Sequence, residues 1–113
     1  MSQFDLWIPG KPHPQARPRF NRFGGVYTTK ENKVAQEELL NAYIEASGPL
    51  FTGPVGVYAS FQADGTLVTI CDEEWSSPLR GDLTNYLKTL EDALNGAAWK
   101  DDRQVVSIDA RKS

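Results

Sequence analysis

Apolar positions along this chain change their period several times, and each change marks an element. Phe4, Leu6 and Ile8 alternate with polar or indole positions, which predicts a short strand over 3–8 that Pro9 and Gly10 end. Residues 9–25 hold four of the seven prolines together with Gly10, Gly24 and Gly25, a composition that predicts a loop with no regular element. Thr28 and Glu31 form a capping box. Val34, Ala35, Leu39, Leu40, Ala42, Tyr43, Ile44 and Ala46 then supply the apolar side of a helix over about 29–47, closed by Gly48 and Pro49. Val55, Val57, Ala59 and Phe61 alternate towards Asp64 and Gly65, a favoured turn pair, and Leu67 to Cys71 return as the second strand of a hairpin. Residues 71–81 are polar and turn-rich, a loop. Leu83, Leu87, Leu90 and Leu94 form the stripe of a second amphipathic helix that Gly96 stops. At about 100° per residue, Thr84, Asn85, Lys88, Asp92 and Asn95 gather on its opposite face, and Asp82 precedes its first turn. After Trp99, Asp101 and Asp102, residues 105–110 have strand character, with Val106, Ile108 and Ala110 on one face and Val105 on the other. The predicted order is β-α-β-β-α-β, a mixed α/β (α+β) fold without internal repeats.

Length and composition narrow the class. A chain of 113 residues is one compact domain, 1–113, able to bury a modest core without disulfides or structural metal. Hydrophobic content of 40% and charged content of 24% are those of an ordinary globular protein, and no apolar run approaches the roughly 20 residues needed to cross a bilayer. The start lacks the basic flank and long apolar centre of a secretory signal. A single cysteine, Cys71, cannot close an internal disulfide, so a reducing cytoplasm is expected.

The net charge of −3 and pI near 5.1 argue, taken alone, against a nucleic-acid protein. The distribution changes that picture. Residues 1–33 carry six basic groups against two acids, a local net of +4, and the remainder carries six against thirteen, a net of −7. A phosphate-contacting arm beside a cation-binding carboxylate site would produce this asymmetry, as would a charged tail on an acidic domain. The basic loop at about 9–25 interleaves Arg17, Arg19 and Arg22 with Phe20 and Phe23, a pattern able to hold phosphates and stack on exposed bases, with Lys11 beside it.

The candidate chemistry lies in residues 81–105. Magnesium prefers oxygen ligands, keeps several waters and takes only a few carboxylates from protein, and Asp82, Asp101 and Asp102 are available to supply them. The alternative is structural: Asp82 caps the helix, Asp101 and Asp102 form a turn, and Lys88 with Asp92 makes a surface pair one helical turn apart. Spacing alone leaves both readings open.

These residues resemble the RusA-type Holliday-junction resolvases common in phages and prophages. The resemblance rests on GDLTN at 81–85, Lys88, DALNG at 92–96, Trp99, Asp101 and Asp102, then Gln104 and Val105; upstream, QARPRF at 15–20 and the run Gly25 to Thr28 match the arginine-rich loop and GGVYT segment of many members. It implies a RusA-like mixed sheet with two helices, and a homodimeric endonuclease that makes paired, magnesium-dependent nicks in four-way or otherwise branched DNA. The products would be a 5′-phosphate and a 3′-hydroxyl, and the setting the cytoplasm of a bacterial host. Manganese is the expected substitute ion. By position, the resemblance makes Asp82 and Asp102 metal-binding carboxylates, Asp101 their helper, and Lys88 a catalytic and DNA-contacting cation.

One position departs from the pattern. Where the family usually carries a second aspartate two residues after the first, this chain has Thr84, a neutral and weaker donor to a hard cation. Asp101, Asp92 or Glu91 would have to compensate, Asp92 being better placed than Glu91 by helical angle, and Asn85 is a further neighbour. Three readings follow: an active enzyme with a rearranged site, a weak enzyme, or a junction binder that no longer cuts. A nuclease acting on branched DNA in general is the other alternative. Among the remaining residues, His13 between Pro12 and Pro14 is expected to be a solvated loop residue, Cys71 an inert strand-end thiol, and Trp75 and Trp99 packing residues.

Overall fold

The computed structural model describes residues 2–14, 19–20, 26–27 and 30–113, with residues 19–20 and 26–27 described as backbone only. Two compact units are present, Met1–Glu73 and Glu74–Ser113. The first contains strands β1 (Gln3–Pro9), β2 (Arg19–Phe20) and β3 (Val26–Tyr27), helix α1 (Lys30–Glu45), and strands β4 (Val55–Gln62) and β5 (Gly65–Asp72). The second contains helix α2 (Leu83–Leu94) and a short 3-10 turn at Asp102–Gln104. The mixed class with a sheet and two helices is therefore present.

The sheet is antiparallel in the order β1-β5-β4, so β5 is paired on both edges. Register sorts its faces, because directly opposed residues point the same way. Phe4, Ile70 and Val57 lie in one row, Leu6, Val68 and Ala59 in the next, Ile8, Thr66 and Phe61 in the third. This is the apolar face that the alternation in residues 3–8 predicts, and in β1 its members are the less exposed half. Helix α1 meets it at one end, where the rings of Phe4 and Tyr43 stack edge to face, 5.3 Å apart at 72°. Val57 and Phe61 at the β4 edge remain 62% and 73% exposed. The expected modest core is not formed among the described residues: none of their hydrophobic side chains is fully buried, and the buried residues are Asn32, Gly65 and Thr66. One helix touching one edge strand is too little to cover three rows.

Three further departures have local reasons. The loop expected over 9–25 contains one strand of a short antiparallel ladder, whose other strand follows it: Arg19 pairs with Tyr27 and Phe20 with Val26. It begins after Pro18, the last proline before the first helix, so every backbone donor it needs is available. The capping-box residue Thr28 lies outside the described residues. In the hairpin, Gln62 pairs with Gly65, so the turn is Ala63-Asp64 and Gly65 is already strand. That glycine serves a close approach: a Cβ there would overlap the Trp7 ring and lie 2.8 Å from the Ile8 carbonyl oxygen.

The third departure is the final strand, which does not form. Residues 105–113 have no ladder, and Val106 is 93% exposed. The segment is instead tied to residues 75–81 through side chains: Trp75 Nε1 donates to the Lys112 carbonyl at 3.0 Å, Lys112 Nζ to the Gly81 carbonyl at 2.9 Å, and Ser77 Oγ to the Ser113 carbonyl at 3.4 Å. Arg111 lies over the Trp75 ring, 5.5 Å from its centre.

Two consequences are measurable. Gly65→Ala should lower stability by about 1–3 kcal/mol, read as a lower urea midpoint at unchanged slope. In β1, the Thr69 hydroxyl donates to Asp5 Oδ1 at 2.6 Å and Gln3 Nε2 to Oδ2 at 3.2 Å; the hydroxyl first, and the amide second, hold the Asp5 carboxyl below its ordinary value. A lowered folded-state value contributes stability above the ordinary aspartate range that is lost as pH falls through the lowered value. An NMR titration should show Asp5 protonating at lower pH than a peptide aspartate, and Thr69→Val should move it back up.

Candidate active site

Helix α2 forms because its leucines recur at helical spacing and Gly96, at φ +87°, ends it in a conformation glycine adopts without strain. Leu83, Leu87 and Leu90 face a groove closed on its far side by Asp109, Ala110 and Arg111. Thr84, Asn85, Lys88 and Asp92 are all exposed on the helix, as the sequence placed them. Asp82 occupies the N-cap position with extended backbone, and its carboxylate makes no capping bond; its carbonyl accepts from Asn85 N at 3.0 Å and Tyr86 N at 3.4 Å. The approach to Asp82 is fixed nonetheless. Tyr86 Oη donates to the Arg80 carbonyl, Gly81 sits at φ +90°, and Lys112 holds the Gly81 carbonyl.

The two adjacent aspartates beyond the helix have different surroundings. Asp101 caps the 3-10 turn: its Oδ1 accepts from the Arg103 backbone N–H at 2.8 Å and from Arg103 Nε at 3.0 Å. Gln104 Oε1 reaches back to Lys100 N at 2.6 Å and Asp101 N at 3.1 Å, completing a capping box. The Arg103 backbone bond first, then its side chain, hold the Asp101 carboxyl below its ordinary value. Asp102 is half-buried, and its Oδ1 accepts from Trp99 Nε1 at 2.7 Å.

Asp101 thus takes up the structural role the sequence left open for it, whereas Asp82 does not cap and Lys88 does not pair with Asp92; Arg103–Asp101 is the one ion pair among the described residues. Among those residues no three His, Cys, Asp or Glu side chains gather closely enough to hold an ion, so Asp82, Asp101 and Asp102 are not a three-carboxylate cluster. Magnesium requires less than that: one or two carboxylates, with waters and substrate phosphate completing the shell. Asp82, whose carboxylate accepts no hydrogen bond among the described residues, and Asp102, with one oxygen taken, are hard donors of the type such an ion takes, so the chemistry of these side chains fits it.

The family model for endodeoxyribonuclease RusA matches residues 9–113. The chain belongs to the RusA family. No curated protein and no solved structure matches it. RusA membership makes the chain an endodeoxyribonuclease of a junction-resolving family, and the matched span includes both the carboxylates of the second unit and the basic loop. Of the DNA-contact candidates in that RusA loop, Arg17 and Arg22 lie outside the described residues, Arg19 lies on β2, and Lys11 is exposed. No helix among the described residues is long and apolar enough to cross a membrane.

Sequence reasoning missed several contacts. His13 is an exposed loop residue, as expected, but its Nε2 also sits 3.1 Å from Oδ1 of Asn32, which is 1% exposed, and so ties residues 11–14 to α1. For Cys71, burial first, then the Glu73 carboxylate, push the thiol up, the direction opposite to that of a reactive thiolate. Trp75 and Trp99 both use their indole N–H groups as donors, which composition does not reveal; only the i, i+3 spacing of Trp99 and Asp102 hinted at it.

Lys112 offers a test of how the approach to Asp82 is held. Lys112→Met should raise amide hydrogen exchange over residues 79–82 about tenfold, the effect of losing a hydrogen bond from a charged donor worth about 1.5 kcal/mol, and leave exchange in β5 unchanged.

Proposed function

We propose that this chain is a magnesium-dependent endonuclease that resolves four-way DNA junctions by paired nicks, acting as a homodimer in a bacterial cytoplasm, in phage or prophage recombination. The observation that carries the reading is the family match across residues 9–113. A junction presents two symmetry-related scissile phosphates, and one small subunit for each, related by a twofold axis, is the simplest assembly that meets both.

The proposed roles follow from side-chain chemistry. Asp82 and Asp102 hold the ion, Asp101 being taken up by Arg103, and manganese can replace magnesium. When bound, the ion supplies a water of lowered pKa and polarises a phosphate oxygen. Lys88, exposed on α2 and without an acidic partner among the described residues, stabilises negative charge developing on the phosphate as the bond to the leaving oxygen breaks. Lys11, Arg17, Arg19 and Arg22 contact DNA phosphates, so binding should weaken steeply with salt. Thr84 contributes a neutral hydroxyl where a carboxylate would bind the ion more strongly.

Thr84 also favours a second reading, a protein that binds junctions and cuts them weakly. One assay separates the possibilities: cleavage of a synthetic mobile four-way junction, and of forks and flaps at matched salt, in Mg²⁺ and in Mn²⁺. Wild type should make paired nicks with preference for the junction. Asp82→Asn should abolish cleavage, Lys88→Met should lower it on the order of 10²–10³-fold, and Thr84→Asp should preserve or raise it. Full activity in Asp82→Asn would remove the proposed metal site. Preference for forks would make the enzyme a general branched-DNA nuclease, and binding without nicks in either ion would establish the second reading.

A further inference from the structure

We propose that Trp99 is a positioning residue for Asp102: its indole N–H holds Oδ1, so that Oδ2 is the oxygen presented to a divalent cation. The inference rests on the metal-binding role proposed for Asp102 and adds to it the group that orients the carboxylate.

An indole nitrogen can only donate, and an ionised carboxylate can only accept. At 2.7 Å the Trp99–Asp102 contact is in the short range of charge-assisted bonds. Oδ2 of Asp102 accepts no hydrogen bond among the described residues. The two partners are three residues apart, and the backbone at both ends of that span is fixed. On the Trp99 side, Gly96 N donates to the Trp99 carbonyl at 2.6 Å, and Asn95 and Trp99 form an isolated parallel bridge. On the other side, Val105 N donates to the Asp102 carbonyl at 3.0 Å, and the Gln104 side chain accepts from both Lys100 N and Asp101 N.

Neither end of the bond is free to drift, and both side chains are half-buried. The adjacent Asp101 is drawn to Arg103, so the two carboxylates are held by different donors and do not compete for one. A carboxylate that must bind an ion gains from having its orientation set beforehand, and loss of such an outer partner typically costs 10–100-fold in metal affinity or activity. Trp99 does this while also filling space, so the test must separate the N–H from the ring.

Trp99→Phe keeps the ring and removes the donor; Trp99→His keeps a ring N–H. On the full chain, Mn²⁺ affinity by calorimetry and the Mg²⁺ concentration for half-maximal junction cleavage are measured together. Trp99→Phe should weaken Mn²⁺ binding and raise the Mg²⁺ midpoint about tenfold, with a smaller fall in kcat at saturating metal. Trp99→His should recover part of both. Unchanged Mn²⁺ affinity and midpoint in a folded Trp99→Phe overturn the inference.

A second measurement needs no variant at Trp99. The Trp99 Nε1–H resonance of the wild-type chain, assigned by elimination with Trp7→Phe and Trp75→Phe, should shift as Mg²⁺ is added, with the midpoint seen in cleavage. A resonance that does not move overturns the inference even if Trp99→Phe fails to fold. Asp102→Asn separates the two levels. If it retains Mn²⁺ binding and cleavage, the metal role of Asp102 falls and that of Trp99 with it; if it loses both while Trp99→Phe keeps both, only the positioning role falls.

Discussion

The double pairing of β5 is the constraint on which the first unit depends. β1 is separated from β4 by more than forty residues of chain, and the two meet only through the strand between them. Gly65 at the start of β5 leaves room for Trp7, the Gly10 amide reaches the Asp64 carbonyl at 2.9 Å, and Thr69 reaches Asp5 across the same pair of strands. A shift of one residue in this register would send Phe4, Leu6 and Ile8 to the opposite face and separate all three contacts. Among the described residues α1 meets the sheet near Phe4 and no hydrophobic side chain is fully buried, so the ladder is what joins these three strands.

In the second unit the carboxylates differ by what occupies their oxygens. Asp101 is engaged by its own turn, Asp102 is held on one side by an indole, and Asp82 stands at the head of α2 with a carboxylate that has no hydrogen bond among the described residues. Similar side chains within one short stretch thus have three different environments, each set by donors a few residues away. The basic loop of residues 9–25 lies in the other unit, and the basic excess of the sequence is confined to the first 33 residues of that unit rather than spread over it.

Much of this was legible beforehand because it is written in local periodicity. The strand at 3–8, both helices and the hairpin follow from alternation, helical spacing and helix-stopping glycines, and the exposed polar face of α2 from the same spacing. The errors share a cause: they concern partners, which periodicity does not specify. Residues 105–110 alternate as a strand should, yet the segment is fastened by Trp75, Ser77 and Lys112. Gly65 has the composition of a turn residue, yet its role depends on a ring from another strand. Asp101 and Asp102 are indistinguishable in sequence until Arg103 and Trp99 are seen to choose between them. The family motif went further than periodicity because it records a combination of residues rather than a local preference.

The capping bond that Asp82 does not make carries a different implication. Aspartate with this backbone conformation is among the preferred N-caps, and a capping bond commonly contributes about 0.5–2 kcal/mol, yet here it is not made. Within the helix the first turn contains no acidic residue and the last turn no basic one, so Asp82 at the N-cap is the charge that favours its dipole. A chain refined for stability alone would remove these deficits first. The head of the helix is thus less stable than its residues allow, a local departure of the kind expected where stability is not the only demand on a residue.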